Sequence, residues 1–200
     1  MTYVSSKEVL NVRIDYPKKI AVTDNAVQFD VLVFFPYVID AAIVEIVGLG
    51  EVFRDIVYYS DMATVIIDYV NPPSGVHEFR LRIYSRNRLV YEEFFNVEFV
   101  EDPLGITILQ ADNIKDTTYK VKCILEVLNP PVEVYIEASE YESTMRYEKV
   151  YEFEGKLKDR KIYELNLGLV DLNKASLEVN IISFKDGLEW RRTLILPELS

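Results

Sequence analysis

Strict alternation of apolar and polar side chains runs through several short segments of this chain. In residues 79–83, three apolar side chains alternate with Arg80 and Arg82. Residues 177–181 repeat the arrangement, with leucine, valine and isoleucine separated by glutamate and asparagine. A period of two over such runs predicts half-buried antiparallel β-strands, with one face on a core and the other in solvent.

Runs of β-branched and aromatic residues predict further strands. They cover residues 31–35, 43–47, 65–70, 94–100, 132–136 and 194–196. Clusters of proline, glycine, asparagine and aspartate separate these runs and predict turns, of which the aspartate-glycine pair at 186–187 is the sharpest hairpin signal. No long stretch has the helical period, although residues 60–63 and 170–175 could each hold one helical turn.

Two segments of the chain recur after roughly 90 to 100 residues, a spacing typical of whole small domains and not of solenoid units. Residues 119–125 resemble residues 27–33, and residues 177–183 resemble residues 79–85. The pattern therefore predicts an internal duplication.

Each half of the chain holds about seven short predicted strands separated by turns, which is the rhythm of an immunoglobulin-like or fibronectin-like sandwich. We therefore predict an all-β protein of two tandem antiparallel β-sandwich domains, at residues 1–102 and 103–200. Neither half has the cysteine–tryptophan–cysteine pattern of antibody domains, so the resemblance concerns architecture alone. A single jelly-roll-like body is the alternative fold.

Composition and charge narrow the classes of partner. Half of the residues are hydrophobic, which is enough to bury a core in each half and excludes a disordered chain. A formal net charge of −11 argues against nucleic acid as a partner, because a phosphate-binding surface needs a basic excess. The apolar stretch at 31–50 contains Pro36, Asp40 and Glu45, so two strands explain it better than membrane insertion.

The start of the chain lacks the pattern of a secretory signal, so we expect a soluble, cytoplasmic protein. Scarce glutamine and a single histidine, beside abundant valine, isoleucine, tyrosine and glutamate, indicate a thermophilic and archaeal source.

The side chains that usually carry catalysis are scarce. His77 is the only histidine and Cys123 the only cysteine, and no nucleophile elbow or phosphate-binding glycine loop occurs. Cys123 lies in a strand-like run and is expected to be a small core residue. With 33 acidic residues, the presence of carboxylate pairs does not by itself indicate glycosidase chemistry. We expect no enzymatic activity, no cofactor and no metal site.

Four arginines lie within one predicted hairpin, against the overall charge of the chain: Arg80, Arg82, Arg86 and Arg88. The first two should point to solvent from a strand, and the others should lie at the turn. We predict that these arginines bind an acidic protein partner, because guanidinium groups pair well with carboxylates at interfaces. The alternative is cross-strand pairing with Glu92, Glu93 and Glu98 on the returning strand.

A second candidate site lies at residues 140–154, where Tyr141, Tyr147 and Tyr151 are interleaved with acidic residues. Exposed tyrosines of this kind bind proteins or stack on sugars, so we predict a partner-binding role for them. The alternative is a charged edge strand whose tyrosine rings lie over the sheet.

The sequence therefore predicts a non-catalytic protein–protein interaction or scaffolding protein, which binds a protein partner or associates with itself. Two other functions are left open by the sequence. One is a carbohydrate-binding module or small β-sandwich hydrolase with a glycan ligand, and the other is a structural subunit of a virion or surface assembly.

Overall fold

A computed structural model describes residues 11–23, 25–142 and 147–196 of the chain. These ranges contain β-strands and no helix, and hence no helix long and apolar enough to cross a membrane. The chain divides into two compact units, an N-terminal unit (Met1–Glu101) and a C-terminal unit (Asp102–Ser200).

The N-terminal unit is built on one long hairpin that takes part in both layers of a sandwich. Its strands are β1 (Arg13–Asp15), β2 (Lys19–Ala21), β3 (Ala26–Gly48), β4 (Glu51–Val70), β5 (Gly75–Ser85) and β6 (Arg88–Val100). The first half of β3 pairs with β1, and its second half pairs with β5. Strand β4 follows β3 along both halves, with the register interrupted between Phe34 and Ile39. Because β3 and β4 change layers at this interruption, each of them contributes one half to each layer.

The two layers of the N-terminal unit enclose one core. The first layer has the strand order β1–β3–β4, formed by the first half of β3 and the second half of β4. The second layer has the order β4–β3–β5–β6–β2, in which β2 is parallel to β6. Val31 and Val33 from the first half of β3 and Val44 and Ile46 from its second half are fully buried. At Gly48 a Cβ atom would collide with the ring of Phe79, so the close packing there requires glycine.

The C-terminal unit is a sandwich of two separate antiparallel sheets. Its strands are β7 (Leu104–Lys115), β8 (Thr118–Val127), β9 (Val132–Glu142), β10 (Tyr147–Leu157), β11 (Ile162–Asp171), β12 (Ala175–Lys185) and β13 (Leu188–Leu196). One sheet has the order β11–β8–β7 and the other the order β10–β9–β12–β13. Alternate residues of β8, β9 and β12 are buried between them, among them Cys123, Ile136 and Val179.

The strand order confirms the predicted fold class, two tandem β-sandwiches of the immunoglobulin and fibronectin type. A single jelly-roll body is wrong, because each unit closes its own core. The helical turns that the sequence left possible are not formed. Residues 60–63 lie within β4, and residues 170–175 form the end of β11, a turn and the start of β12.

Candidate functional site

Arg82 belongs to a row of alternating charges that crosses the second layer of the N-terminal unit. Its Nε lies 3.0 Å from Glu92 Oε1, and a terminal nitrogen lies 3.6 Å from Glu45 Oε1. On the other side of Glu45, Arg54 Nε lies 2.9 Å from Oε2. The hydrogen bond to Glu92 is the main cause that raises the pKa of Arg82. This charged row (Arg54, Glu45, Arg82 and Glu92) pairs its charges within the sheet.

Arg80 lies beside the charged row and also has partners within the sheet. A terminal nitrogen lies 3.9 Å from Glu92 Oε1, and the guanidinium carbon lies 4.9 Å from the centre of the Phe94 ring. Arg80 Nε is buried and makes no hydrogen bond to any described residue. The cross-strand pairing that was the alternative to partner binding is thus present at Arg80 and Arg82, through Glu92.

Arg86 and Arg88 lie apart from the charged row, at the turn between β5 and β6. Arg86 has a φ of 51° and Asn87 a φ of 62°, which are the left-handed conformations of a tight hairpin turn. Both arginines are exposed. The four arginines therefore do not form one cationic patch, because two of them are neutralised in the sheet and two lie at its end.

The solvent side of the second layer carries exposed apolar side chains that the sequence analysis did not single out. Val52, Ile56 and Tyr58 on β4 and Phe94 on β6 are 49%, 57%, 67% and 50% exposed. They lie on the same side as the charged row, because Arg54 pairs with Glu45 in register and Arg80 pairs with Phe94. We call these four apolar residues and the charged row the outer face. Residues 52–58 do not alternate between apolar and polar side chains, so the sequence pattern did not reveal this face.

The predicted tyrosine platform in the C-terminal unit does not form one surface. Tyr141 on β9 is partly exposed and is opposite Tyr147 in register, but the Tyr147 side chain and residues 143–146 lie outside the described structure. Tyr151 is opposite Ala138, on the core side of the sheet, and packs against the core. Burial raises the pKa of Tyr151.

A polar network occupies the solvent side of the same sheet. The hydroxyl of Tyr135 lies 2.9 Å from Glu137 Oε2 and 2.8 Å from Glu152 Oε1, and Lys149 Nζ lies 2.9 Å from each carboxylate. Hydrogen bonding to Glu152 and Glu137 raises the pKa of Tyr135 to about 12, and the bond from Lys149 lowers the pKa of Glu152. These contacts favour the neutral phenol of Tyr135 and the ionised carboxylate of Glu152.

An open groove of about 840 Å³ borders this network. Among the side chains that line it are Glu133, Tyr135, Glu154, Lys156, Ile182 and Phe184. Lys156 Nζ lies 3.2 Å from Glu133 Oε1, whereas Glu154 makes no ion pair with any described residue. The groove thus combines two aromatic side chains with carboxylate acceptors.

The contacts of His77 and Cys123, the two candidates for catalysis, are those of structural residues. His77 Nε2 lies 2.7 Å from the carbonyl oxygen of Pro73, and its ring lies beside Phe99. Cys123 is buried, which raises the pKa of its thiol to about 12. Within residues 11–23, 25–142 and 147–196, no cluster of three histidine, cysteine or acidic side chains could hold a metal ion.

No model of a known protein family matches this chain, and no curated protein matches it. Many solved structures show distant likeness to the chain, among them the following three. The CARDB domain of a Pyrococcus furiosus protein, solved in complex with di-metal ions, is 13% identical, with 46% of this chain and 94% of that chain covered and a TM-score of 0.35. An adhesin of Yersinia pseudotuberculosis is 9% identical, over 96% of this chain and 59% of that one, with a TM-score of 0.38. A segment of two fibronectin type III domains from chicken tenascin is 15% identical, with 92% of this chain and 99% of that chain covered and a TM-score of 0.29.

Likenesses this distant transfer no partner and no activity to the chain. The fold class rests on the strand order and on the two cores, and the candidate surfaces rest on the contacts described above.

Proposed function

We propose that the chain is a non-catalytic interaction or scaffolding protein that binds another protein through the outer face of its N-terminal unit. The observation that carries this proposal is the exposure of Val52, Ile56, Tyr58 and Phe94 on one side of a sheet. Exposed apolar side chains grouped in this way are typical of protein–protein contact sites, because their burial removes apolar surface from water.

The charged row supports the same proposal in a second way. Arg54 and Arg82 are held by Glu45, so their guanidinium groups lose less side-chain freedom when a partner covers them. Because Arg80 and Arg82 are already paired with carboxylates, we assign the binding free energy to the apolar side chains. The arginines then set the orientation of the partner.

The test is affinity capture with the full chain, followed by direct binding of the captured protein in purified form. Ile56→Lys places a charge among the exposed apolar side chains of β4 on the outer face, and Ile162→Lys makes the same change at an exposed position of the C-terminal unit. We expect one protein to be retained by wild type and by the Ile162→Lys control and to bind Ile56→Lys at least about tenfold more weakly, a loss of about 1.4 kcal/mol. Equal binding to all three proteins would contradict the proposed surface.

A second candidate function, carbohydrate binding, is favoured by the groove in the C-terminal unit. Rings such as Tyr135 and Phe184 stack on sugars, and carboxylates such as Glu154 accept their hydroxyl hydrogen bonds. Glycan-array binding that Phe184→Ala removes and Phe94→Ala leaves intact would support this function. Assembly of the pure chain into large particles in sedimentation experiments would instead support a structural subunit.

A further inference from the structure

Strand β4 is an edge of the first layer of the N-terminal unit, and part of that edge is already occupied. Among the described strands, β4 pairs only with β3. The main-chain N–H of Met62 lies 3.1 Å from Ser60 Oγ, and the N–H of Thr64 lies 3.1 Å from Asp55 Oδ2. These two side chains occupy the positions that a further strand would need.

The remainder of this edge, residues 66–70, pairs with no strand among residues 11–23, 25–142 and 147–196 other than β3, and we call it the open edge. Pairing of β4 with β3 is regular from Met62 to Val70, and N–H groups along an antiparallel strand point alternately to its two sides. The N–H groups of Ile66, Asp68 and Val70 therefore point away from β3, as those of Met62 and Thr64 do. No described side chain occupies them.

The side chains of the open edge have an apolar–acidic–apolar pattern on the solvent side. Ile66 is 56% exposed and Val70 is 76% exposed. Asp68 lies between them, exposed and without an ion pair to any described residue. Asp30, opposite Ile66 on β3, adds a second exposed carboxylate. An added strand would thus find two apolar positions flanking a negative one.

Charge decides which strand can occupy this edge. A second copy of the chain, paired antiparallel through residues 66–70, would place Asp68 directly opposite Asp68. Like charges directly opposite each other in a sheet are destabilising, and opposite charges are stabilising, by about 0.2–1 kcal/mol for each pair. The open edge therefore disfavours self-pairing and favours a strand with a basic residue at this position.

We propose that residues 66–70 bind an extended segment of another protein by strand addition, with a lysine or arginine opposite Asp68 and apolar residues opposite Ile66 and Val70. The inference rests on the proposed interaction function and gives the chemistry of one ligand. Main-chain hydrogen bonds hold the segment, and the side chains select it. The pattern apolar–x–basic–x–apolar is symmetrical, so it fits the edge in either chain direction.

The experiment uses the full-length protein and fluorescent peptides. The first peptide is Thr-Val-Thr-Lys-Thr-Val-Thr, the second carries glutamate in place of lysine, and the third carries N-methyl groups on both valines. We expect the lysine peptide to bind about fivefold more tightly than the glutamate peptide, as the charge-pair energies imply. The N-methylated peptide should bind much more weakly in the antiparallel direction, because it lacks the two valine N–H groups that would face the edge.

Charge reversal distinguishes this site from general attraction to an acidic protein. Asp68→Lys should reverse the preference between the two peptides, whereas Asp61→Lys, on the same strand outside the open edge, should leave it unchanged. Failure of the lysine peptide to bind, an unchanged preference in Asp68→Lys, or a reversal in Asp61→Lys would overturn the inference. If partner capture still depends on Ile56 when the peptides fail, the proposed function stands and this ligand is rejected.

Discussion

Arg192 Nε lies 2.7 Å from Asp102 Oδ2, and this pair joins the two sheets of the C-terminal unit. The terminal nitrogens of the same guanidinium donate to the carbonyl oxygens of Leu104 and Gly105 and to Thr107 Oγ1, at 2.7–3.0 Å. Asp102 Oδ1 in turn accepts the N–H of Leu104 at 2.8 Å. Arg192 on β13 therefore holds the start of β7, which belongs to the opposite sheet.

Replacement of Arg192 should destabilise the C-terminal unit. Arg192→Leu removes four hydrogen bonds and leaves the half-buried Asp102 carboxylate without its counter-charge, so we expect the free energy of unfolding to fall by about 3 kcal/mol. Urea denaturation followed by tryptophan fluorescence measures the loss, because Trp190 is buried on the same strand. Arg191→Leu is the matched control, since its mostly exposed side chain should change stability by less than about 1 kcal/mol. Equal effects of the two variants would show that the Arg192 network contributes little.

Glu45 should contribute more to stability than Glu92, although both accept hydrogen bonds or ion pairs from arginines. Glu45 is buried between Arg54 and Arg82, whereas Glu92 is exposed. We expect Glu45→Ala to lower the free energy of unfolding by about 1–2 kcal/mol, and Glu92→Ala by less than about 1 kcal/mol. Thermal unfolding at low and high salt measures both effects. A larger loss in Glu92→Ala would contradict the assigned order.

Tyr69 should make the N-terminal unit sensitive to alkaline pH. Burial, assisted by Glu51, raises the pKa of Tyr69 to about 12, whereas an unfolded tyrosine titrates near about 10. The neutral phenol therefore stabilises the fold below pH 10, and this contribution is lost as the pH rises from about 10 to about 12. Its hydroxyl donates to the carbonyl oxygen of Gly48 at 2.5 Å.

Urea titrations across this range test the role of Tyr69. Tyr69→Phe should be about 1–2 kcal/mol less stable at pH 7, because the Gly48 carbonyl loses its donor. The variant should also lose less stability than wild type between pH 10 and pH 12. Part of the pH dependence of the unfolding free energy should remain in this unit, since the pKa of Tyr91 is also raised to about 12. The exposed Tyr58→Phe control should keep the wild-type slope, and a Tyr69→Phe profile parallel to wild type would refute the assignment.

Cys123 should be inert toward thiol reagents in the folded protein. Its side chain is fully buried in the core of the C-terminal unit, and burial raises the pKa of the thiol to about 12. Only the thiolate attacks a disulfide reagent, so we expect no labelling at pH 8 in native buffer and one labelled thiol per chain in denaturant. Rapid labelling of the native protein would mean that this core opens readily.

The fold class could be predicted from the sequence because alternation reports directly which side chains face a core. Residues 79–83 and 177–181 lie on β5 and β12, with their apolar side chains buried as expected. The continuity of β3 and β4 through both layers could not be predicted in this way. Turn-forming residues such as Pro36 and Ser60 look the same at a bend within a strand as at a connection between strands.

The candidate sites were harder to predict, because their residues come from strands that are neighbours only after folding. Arg82 was predicted to face solvent, and it does so, but its contact with Glu45 depends on the pairing of β3 with β5. Tyr151 was grouped with Tyr141 by composition. A register irregularity between Lys149 and Tyr151 leaves Tyr151 opposite Ala138, on the core side.

The crossing of β4 between layers has a thermodynamic consequence. Its first half carries Ile56 on the outer face, and its second half carries the open edge at Asp68. Both halves are bonded to the same partner strand, β3, so any influence of one bound ligand on the other would pass along this one pair of strands and across its register interruption. Such an influence is reciprocal by thermodynamic linkage. If a ligand on the outer face changes the affinity of the open edge for its segment, the bound segment changes the affinity of the outer face by the same factor.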